Sequence, residues 1–325
     1  GAIGAAQLGL KTAIVERDGV RYTLLGTAHV SKTSVDVVRA AIATGDYDTI
    51  AVELDQQRAQ ALTDPDALAK LDLVKVLREG NTAVFAANLA LAAYQRRLAE
   101  QLGIEPGAEL KAAVLDARER ELSLELIDRD VGLTFKRAMQ RLGWWGRAKV
   151  SAGLIGSLFG NEEVSDEQIE GLKEGDMLEA SFSEFAADSP ALYDTVISER
   201  DVYMAARLRE IRTQGGQRQV LAVVGAGHLQ GLARHLREDT ESPESIRSTL
   251  EFVQKKSRIP WFKIALTCLI VGGIGFGFWR GGFAMGTDLL KQWIMFTSSL
   301  AALGCLTAGG HPLSILTAAL FAPLK

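Results

Sequence analysis

Two of the chain's four histidines occupy the same local setting. His29 closes Gly26-Thr27-Ala28-His29 after the apolar run RYTLL, and His228 closes Gly225-Ala226-Gly227-His228 after LAVV. Glycine at these places permits a tight turn and close backbone approach. A helix that follows offers free amides and a positive dipole end, suited to an anion or to a carbonyl oxygen developing charge. A carboxylate, Glu53, ends a third apolar run, TIAV, and Asp128 and Arg129 end a fourth, LSLELI. Two imidazoles and a carboxylate can supply three ligands to Mn²⁺, Co²⁺ or Zn²⁺ and leave a position for water. The same groups can work without a metal, with Glu53 or a histidine as general base.

These groups meet only if the runs before them are parallel strands of one sheet, because sites in open α/β sheets form outside the carboxyl ends of the strands. The pattern supports that. TAIVERDGVRYTLLG reads as a hairpin about Asp18-Gly19, and KTSVDVVRAAIATG as a helix capped by Ser31 or Thr33 and stopped at Gly45. DTIAVELD reads as a buried strand, so strand, helix and strand form a βαβ unit. RQVLAVVGAGHLQGLARHL is a last strand, a glycine turn and a helix. Between about 64 and 215 the pattern is mostly helical, with LSLELIDRD as one further strand. The expected fold class is therefore α/β: a mainly parallel central sheet with a helical insertion, followed by C-terminal transmembrane helices.

Each residue also has a plainer role. A histidine after a strand can cap the next helix, and Glu53 can partner a buried arginine. Asp128 and Arg129 can form an ion-pair cluster. In ISERD, residues 197–201, Arg200 can orient Glu53 or hold a substrate carboxylate, while a solvated charged face is an equal alternative. His235 reads as structural and His311, before Pro312, as a helix-break residue. GAIGAAQLGLKTAIVER imitates part of a dinucleotide-binding unit, but its preceding strand and full glycine turn are missing.

The chain has 325 residues and a net charge of −4, without a long basic block, which argues against nucleic-acid partners. Cys268 and Cys305 both lie in apolar stretches and read as inert thiols. From Trp261 onward charge nearly disappears. WFKIALTCLIVGGIGFGFW (261–279) is long enough to span a bilayer, WIMFTSSLAALGCLTAGG (293–310) is a second apolar run, and PLSILTAALFAPL a third. Lys255, Lys256, Arg258 and Lys263 precede the first span. By the positive-inside rule they place the soluble domain in the cytoplasm. The expected division is 1–19 as an N-terminal segment with the first hairpin strand, 20–255 as the α/β domain, and 256–325 as a transmembrane region. Both chain ends read as cut edges, so that the membrane region is truncated.

Taken together, GTAHVS (26–31), VELD (52–55), GIEPGAEL (103–110), LIDRDVGLTFKRA (126–138), SERDVYMA (198–205) and VVGAGHLQGL (223–232) resemble the TraB/PrgY pheromone-shutdown family. GGHPLSILTAALFAPL (309–324) is similar to the membrane portion of its prokaryotic members. The resemblance implies a relation to the Tiki metalloproteases and, more distantly, to erythromycin-esterase and ChaN-like folds. It implies metal-dependent cleavage of peptide bonds, with His29, Glu53 and His228 as the positions carried over, and a small peptide as substrate. The expected machinery is thus His29, Glu53, His228 and Arg200, with Gly26, Gly225, Asp128 and Arg129 at the substrate. The alternatives are a protein that sequesters a peptide without cutting it and a regulatory domain of a membrane transport protein. Expected partners are the peptide and the lipid bilayer, and homo-oligomerisation stays open.

Overall fold

The computed structural model describes residues 10–28, 31–64, 66, 82–103, 105–159, 163–166, 169–170, 190–211, 218–254, 261–307 and 312–322. His29, Lys255, Lys256, Arg258, His311 and residues 1–9 lie outside the described residues. The chain divides into two compact units, Gly1–Val253 and Gln254–Lys325.

In the first unit, strands β1 (Lys11–Arg17) and β2 (Val20–Thr27) form the expected antiparallel hairpin. Asp18 and Gly19 at its tip both have positive φ, 52° and 75°. That is the turn whose twist matches the flanking strands, and Asp-Gly is among the few pairs that tolerate it. Helix α1 (Lys32–Ala43) follows, with Ser31 in the cap position, and its end passes into Gly45 at φ 74°. Strand β3 (Thr49–Val52), helix α2 (Gln56–Thr63), helix α3 (Thr82–Leu102), helix α4 (Ala108–Glu119) and strand β4 (Ser123–Leu126) come next.

The insertion between β3 and the last strand continues with helices α5 (Val131–Arg141) and α6 (Trp144–Phe159). Helix α7 (Pro190–Tyr193) then runs through a π-helical turn, Asp194–Ser198, into helix α8 (Glu199–Arg209). Strand β5 (Arg218–Gly225), a single 3-10 turn (Ala226–His228), helix α9 (Leu229–Glu238) and helix α10 (Pro243–Glu251) complete the unit.

The sheet order is β1-β2-β5-β3-β4. Every pair is parallel except β1 with β2, so the sheet is mixed and mainly parallel. The strands alternate at period two, but both faces are apolar, as a sheet covered on both sides requires. Leu25, Ile50, Val52, Leu221 and Val223 face one side, where Val38 and Ile42 of α1 and Val114 of α4 cover them. Tyr22, Leu24, Ala51, Val220, Ala222 and Val224 face the other, against Met204 and Leu208 of α8 and Leu232 and Leu236 of α9. The insertion has a core of its own, with Leu91, Phe135, Val150, Leu154 and Val196 at its centre.

The second unit holds helix α11 (Trp261–Thr307) and helix α12 (Pro312–Phe321). The stretch Thr267–Cys305 of α11 is long and apolar enough to cross a membrane, and only 6% of its most apolar window is buried. The runs expected at 261–279 and 293–310 lie in helical stretches on either side of Gly282, where the backbone is not helical, with φ 68° and ψ −170°. At that bend the chain turns back. A methyl on Gly277 would lie 3.8 Å from the Cα of Gly286, residues that a straight helix would hold roughly 14 Å apart along its axis. Phe278 and Phe283 also meet, with ring centroids 5.9 Å apart. The conformation of Gly282 is one that essentially only glycine adopts, at a cost of about 1–3 kcal/mol for other residues. Replacing it with leucine should straighten the element. Spin labels at Val271 and Ile294, in a chain freed of Cys268 and Cys305, should lie within about 25 Å in the parent. They should move towards about 35 Å, the rise of a continuous helix, in Gly282→Leu.

Candidate active site

The parallel strands deliver their carboxyl ends to one edge of the sheet. Thr27 of β2 lies beside Gly225 of β5, and Val52 of β3 beside Val223 of β5 and Leu126 of β4. Glu53 is the first residue past β3, Asp128 the second past β4 and His228 the third past β5. All three are buried.

Glu53 is held from two sides. Its Oε2 accepts the backbone N–H of Gly225 at 2.6 Å, and its Oε1 accepts Nη2 of Arg200 at 2.9 Å. Arg200, from α8, spends the rest of its fork on Asp128, Nε to Oδ1 at 2.9 Å and Nη2 to Oδ2 at 2.6 Å. Its Nη1 donates to the carbonyl of Val196 in the π-helical turn. Asp128 also accepts Nη1 of Arg58 at 2.8 Å. A guanidinium with no solvent exposure thus bridges carboxylates from two neighbouring strands. A planar, always-charged fork suits that task better than an ammonium.

His228 lies against this cluster. Its Nε2 is 3.6 Å from Oε1 of Glu53 and its Nδ1 is 2.5 Å from Oδ1 of Asp201. Gly26 allows the close approach of β2 to the turn before His228, since a methyl there would lie 3.2 Å from the Cα of Ala226 and 3.3 Å from the carbonyl oxygen of Lys11.

The structure brings Glu53, His228, Arg200, Asp128, Gly26 and Gly225 together. Asp128 and Arg129 part company: Asp128 joins Arg200, while Arg129 serves Glu199. Its Nη1 donates to Glu199 at 2.7 Å, its Nη2 to the carbonyl of Thr195 and its Nε to Thr134. Arg129 is itself fully buried, and that burial lowers its pKa despite the Glu199 partner. His29, the third expected ligand, lies outside the described residues, two positions past the end of β2.

Sequence reasoning missed three contributors. Asp201 holds the histidine. Arg58 shares Asp128. Glu109, buried in the first turn of α4, accepts the hydroxyl of Thr27 at 3.3 Å. A signal for Asp201 was present: Glu199, Arg200 and Asp201 are consecutive, and successive helical residues point about 100° apart. Three such residues cannot share one solvated face. Here they serve Arg129, Asp128 with Glu53, and His228 respectively, and all are buried.

Among the described residues no group of three His, Cys, Asp or Glu side chains is arranged to hold a metal ion. Two donors nevertheless converge. The 3.6 Å between His228 Nε2 and Glu53 Oε1 is too long for a hydrogen bond. It is close to the roughly 3.4 Å between neighbouring ligands of a tetrahedral shell with bonds near 2.1 Å. In donor type the pair could supply two of a divalent ion's ligands, with Oε1 of Glu53 also accepting Arg200.

Comparison with known proteins decides the family. The TraB/PrgY/gumN family matches residues 12–243, which contain all of the sheet except Lys11, the first residue of β1. The chain belongs to that family. The C-terminal domain of TraB family proteins matches residues 259–325. An uncharacterized protein of Methanocaldococcus jannaschii is 36% identical over 307 residues, 93% of this chain and 76% of that protein. TraB domain-containing proteins of Bos taurus and Homo sapiens are 29% and 28% identical over 293 residues, 83% of this chain and 76% of each. The first match falls within the unit Gly1–Val253 and the second within the unit Gln254–Lys325.

Two outcomes follow from the charge pairing. Arg200→Ala leaves Glu53 and Asp128 buried beside a missing partner, and should lower unfolding free energy by about 3–5 kcal/mol in urea titrations. Glu199 supplies a pH dependence. Burial alone would raise its pKa, but hydrogen bonds from Arg137 and Arg129 outweigh this and hold it below its ordinary 4.5. A folded pKa below the unfolded one gives stability that is present above pH 4.5 and lost as pH falls through the folded value. Urea unfolding between pH 6 and pH 3 should show this loss in the parent, with a shallower slope in Glu199→Gln.

Proposed function

We propose that this TraB family chain is a membrane-anchored, metal-dependent hydrolase that cleaves peptide bonds of small peptides. The observation that carries this reading is the convergence of His228 and Glu53 at the carboxyl edge of the sheet, with β2, the strand that leads to the Gly26–His29 motif, paired beside β5. His29, Glu53 and His228 would hold a divalent ion, Mn²⁺, Co²⁺ or Zn²⁺. When bound, such an ion polarises the scissile carbonyl and makes water a stronger nucleophile.

The chain's own residues supply the rest. Arg200 and the Gly225 amide fix the Glu53 carboxylate in one orientation, a preorganisation that costs nothing at the moment of reaction. Asp128 and Arg58 hold Arg200 in turn. Substrate would approach along the glycine-flanked ends of β2 and β5, at Gly26 and Gly225. Water adds to the peptide carbonyl, the C–N bond breaks, and the products are a carboxylic acid and an amine.

The apolar α11 supports membrane anchoring by length and composition. The basic residues Lys255, Lys256, Arg258 and Lys263 before and at its start support a cytoplasmic α/β unit.

A second reading has its own support. Glu53 already has an internal cation, and Glu53, Arg200 and His228 have no solvent exposure. A framework so complete suits a protein that binds a peptide and releases it whole. Mass spectrometry of short peptides incubated with the purified full chain, with Mn²⁺, Co²⁺ or Zn²⁺ added, separates the two. Hydrolysis is expected to produce both fragments and to fall at least ~100-fold in His29→Ala, His228→Ala and Glu53→Gln. Intact peptide with measurable binding, and no metal retained by the parent, would establish sequestration instead.

A further inference from the structure

We propose that Asp201 is the positioning residue of His228 and that Gly231 provides the space in which it acts. The inference rests on the reading of His228 as a metal ligand or base, and it deepens that reading by naming what sets the histidine's working nitrogen.

His228 ends the 3-10 turn after β5, and Asp201 stands in the first turn of α8, on the face of the sheet where α8 and α9 lie together. The 2.5 Å between Nδ1 and Oδ1 is a short, charge-assisted contact. A carboxylate accepts only, so Nδ1 carries the proton. In the neutral ring Nε2 then carries the lone pair, and Nε2 is the nitrogen turned to Glu53. A histidine that must bind a metal or take a proton through Nε2 needs this arrangement, and a carboxylate behind a ligating histidine also raises its donor strength.

The other oxygen of Asp201 needs room, and one residue supplies it. A Cβ built on Gly231 would overlap Oδ2 of Asp201. Gly231 lies within helix α9, where glycine costs about 1 kcal/mol against alanine. It has no positive φ to account for it. Its presence follows from the carboxylate that occupies the place of its missing side chain. At the end of α9, His235 pairs with Asp239, the residue that caps the helix, at 3.0 Å on a partly exposed surface. His235 meets Asp239 and Arg234, so among the described residues the pair serves as a comparison within the same protein.

The test uses the full chain in detergent, with Zn²⁺ or Co²⁺ alone as probe and ¹⁵N-labelled histidine as reporter. In the parent, His228 should give the Nδ1–H pattern. Asp201→Asn, whose amide can donate to Nδ1, should shift that ring towards Nε2–H and weaken metal binding by about 10–100-fold. Gly231→Ala should move both readouts in the same direction by displacing the carboxylate. The double variant should be no worse than Asp201→Asn, because both changes act through one contact. Asp239→Asn should leave metal affinity and the His228 signal unchanged. Thermal unfolding of each variant shows that it is folded.

If folded Asp201→Asn and Gly231→Ala keep the parent's His228 pattern and metal affinity, the proposal is overturned. Failure of the hydrolase reading looks different: the parent itself binds no metal, while the nitrogen pattern still reports whether Asp201 orients the ring.

Discussion

A buried guanidinium must be neutralised where it lies, and Arg200 is neutralised by carboxylates that reach it from two different strands. The architecture around the site follows from that requirement. Glu53 and Asp128 come within reach of one fork only because β3 and β4 are parallel neighbours in register, with Val52 opposite Leu126. Asp128 needs one more residue past its strand than Glu53 does past its own. The extra residue is Ile127, fully buried and bonded through its N–H to the carbonyl of Val52. Removing any one charge would strand the others in a region of low dielectric, where an unpaired ion costs several kcal/mol. The cluster is therefore a condition on the fold as much as a feature of the site. Glu53 carries the condition to β5 through the Gly225 amide, and so to the turn that ends in His228.

Much of this was legible in the sequence because local pattern decides it. The Asp18-Gly19 hairpin, the apolar runs, the glycine turns and the placing of polar residues at strand ends all follow from spacing and turn chemistry. The partners of the charges were not legible. Arg200 and Glu53 are 147 residues apart, Arg200 and Asp128 are 72, and Gly225 and Glu53 are 172. Nothing local marks such a pair: the charged triplet Glu199-Arg200-Asp201 is too wide for one solvated face of a helix, but its sequence does not say which groups its members meet. The plainer role for Glu53, partner to a buried arginine, is the one the geometry shows. The same hydrogen bond that satisfies the arginine fixes the carboxylate beside His228. In the apolar unit the limit was different. Composition marks where the hydrophobic runs are, but the bend between them depends on the backbone of Gly282, one glycine among many there.

The triplet also shows how one helix can organise three separate charge systems. The π-helical turn, Asp194–Ser198, leads directly into it. Turns of this kind are found at functional sites, where an added residue rotates everything after it. With α8 so placed, Glu199 meets Arg129 and Arg137, Arg200 meets Glu53 and Asp128, and Asp201 meets His228. A rotation of α8 about its axis that served one of these would break the other two. Its orientation is therefore over-determined by three separate sets of buried charges.

The Glu199 system extends this restraint to the end of the α/β unit. Arg129, beside Asp128, donates to the carbonyl of Leu250, and Arg137 donates to those of Thr249 and Phe252. Tyr203, on α8 with the triplet, donates to Glu251 at 2.8 Å. Four successive residues at the end of α10 are thus held by Arg129, which follows Asp128, by Arg137, which shares Glu199 with Arg129, and by Tyr203, on the helix of the triplet. The carbonyls at a helix C-terminus lack partners within the helix, and here arginines supply them, which also suits the negative end of the helix dipole. The residues through which the chain leaves this unit are accordingly fixed to the charge framework that holds Glu53 and His228. A change in how α10 ends would reach Arg129 and Glu199 before it reached any apolar core, and Glu199 is the residue next to Arg200.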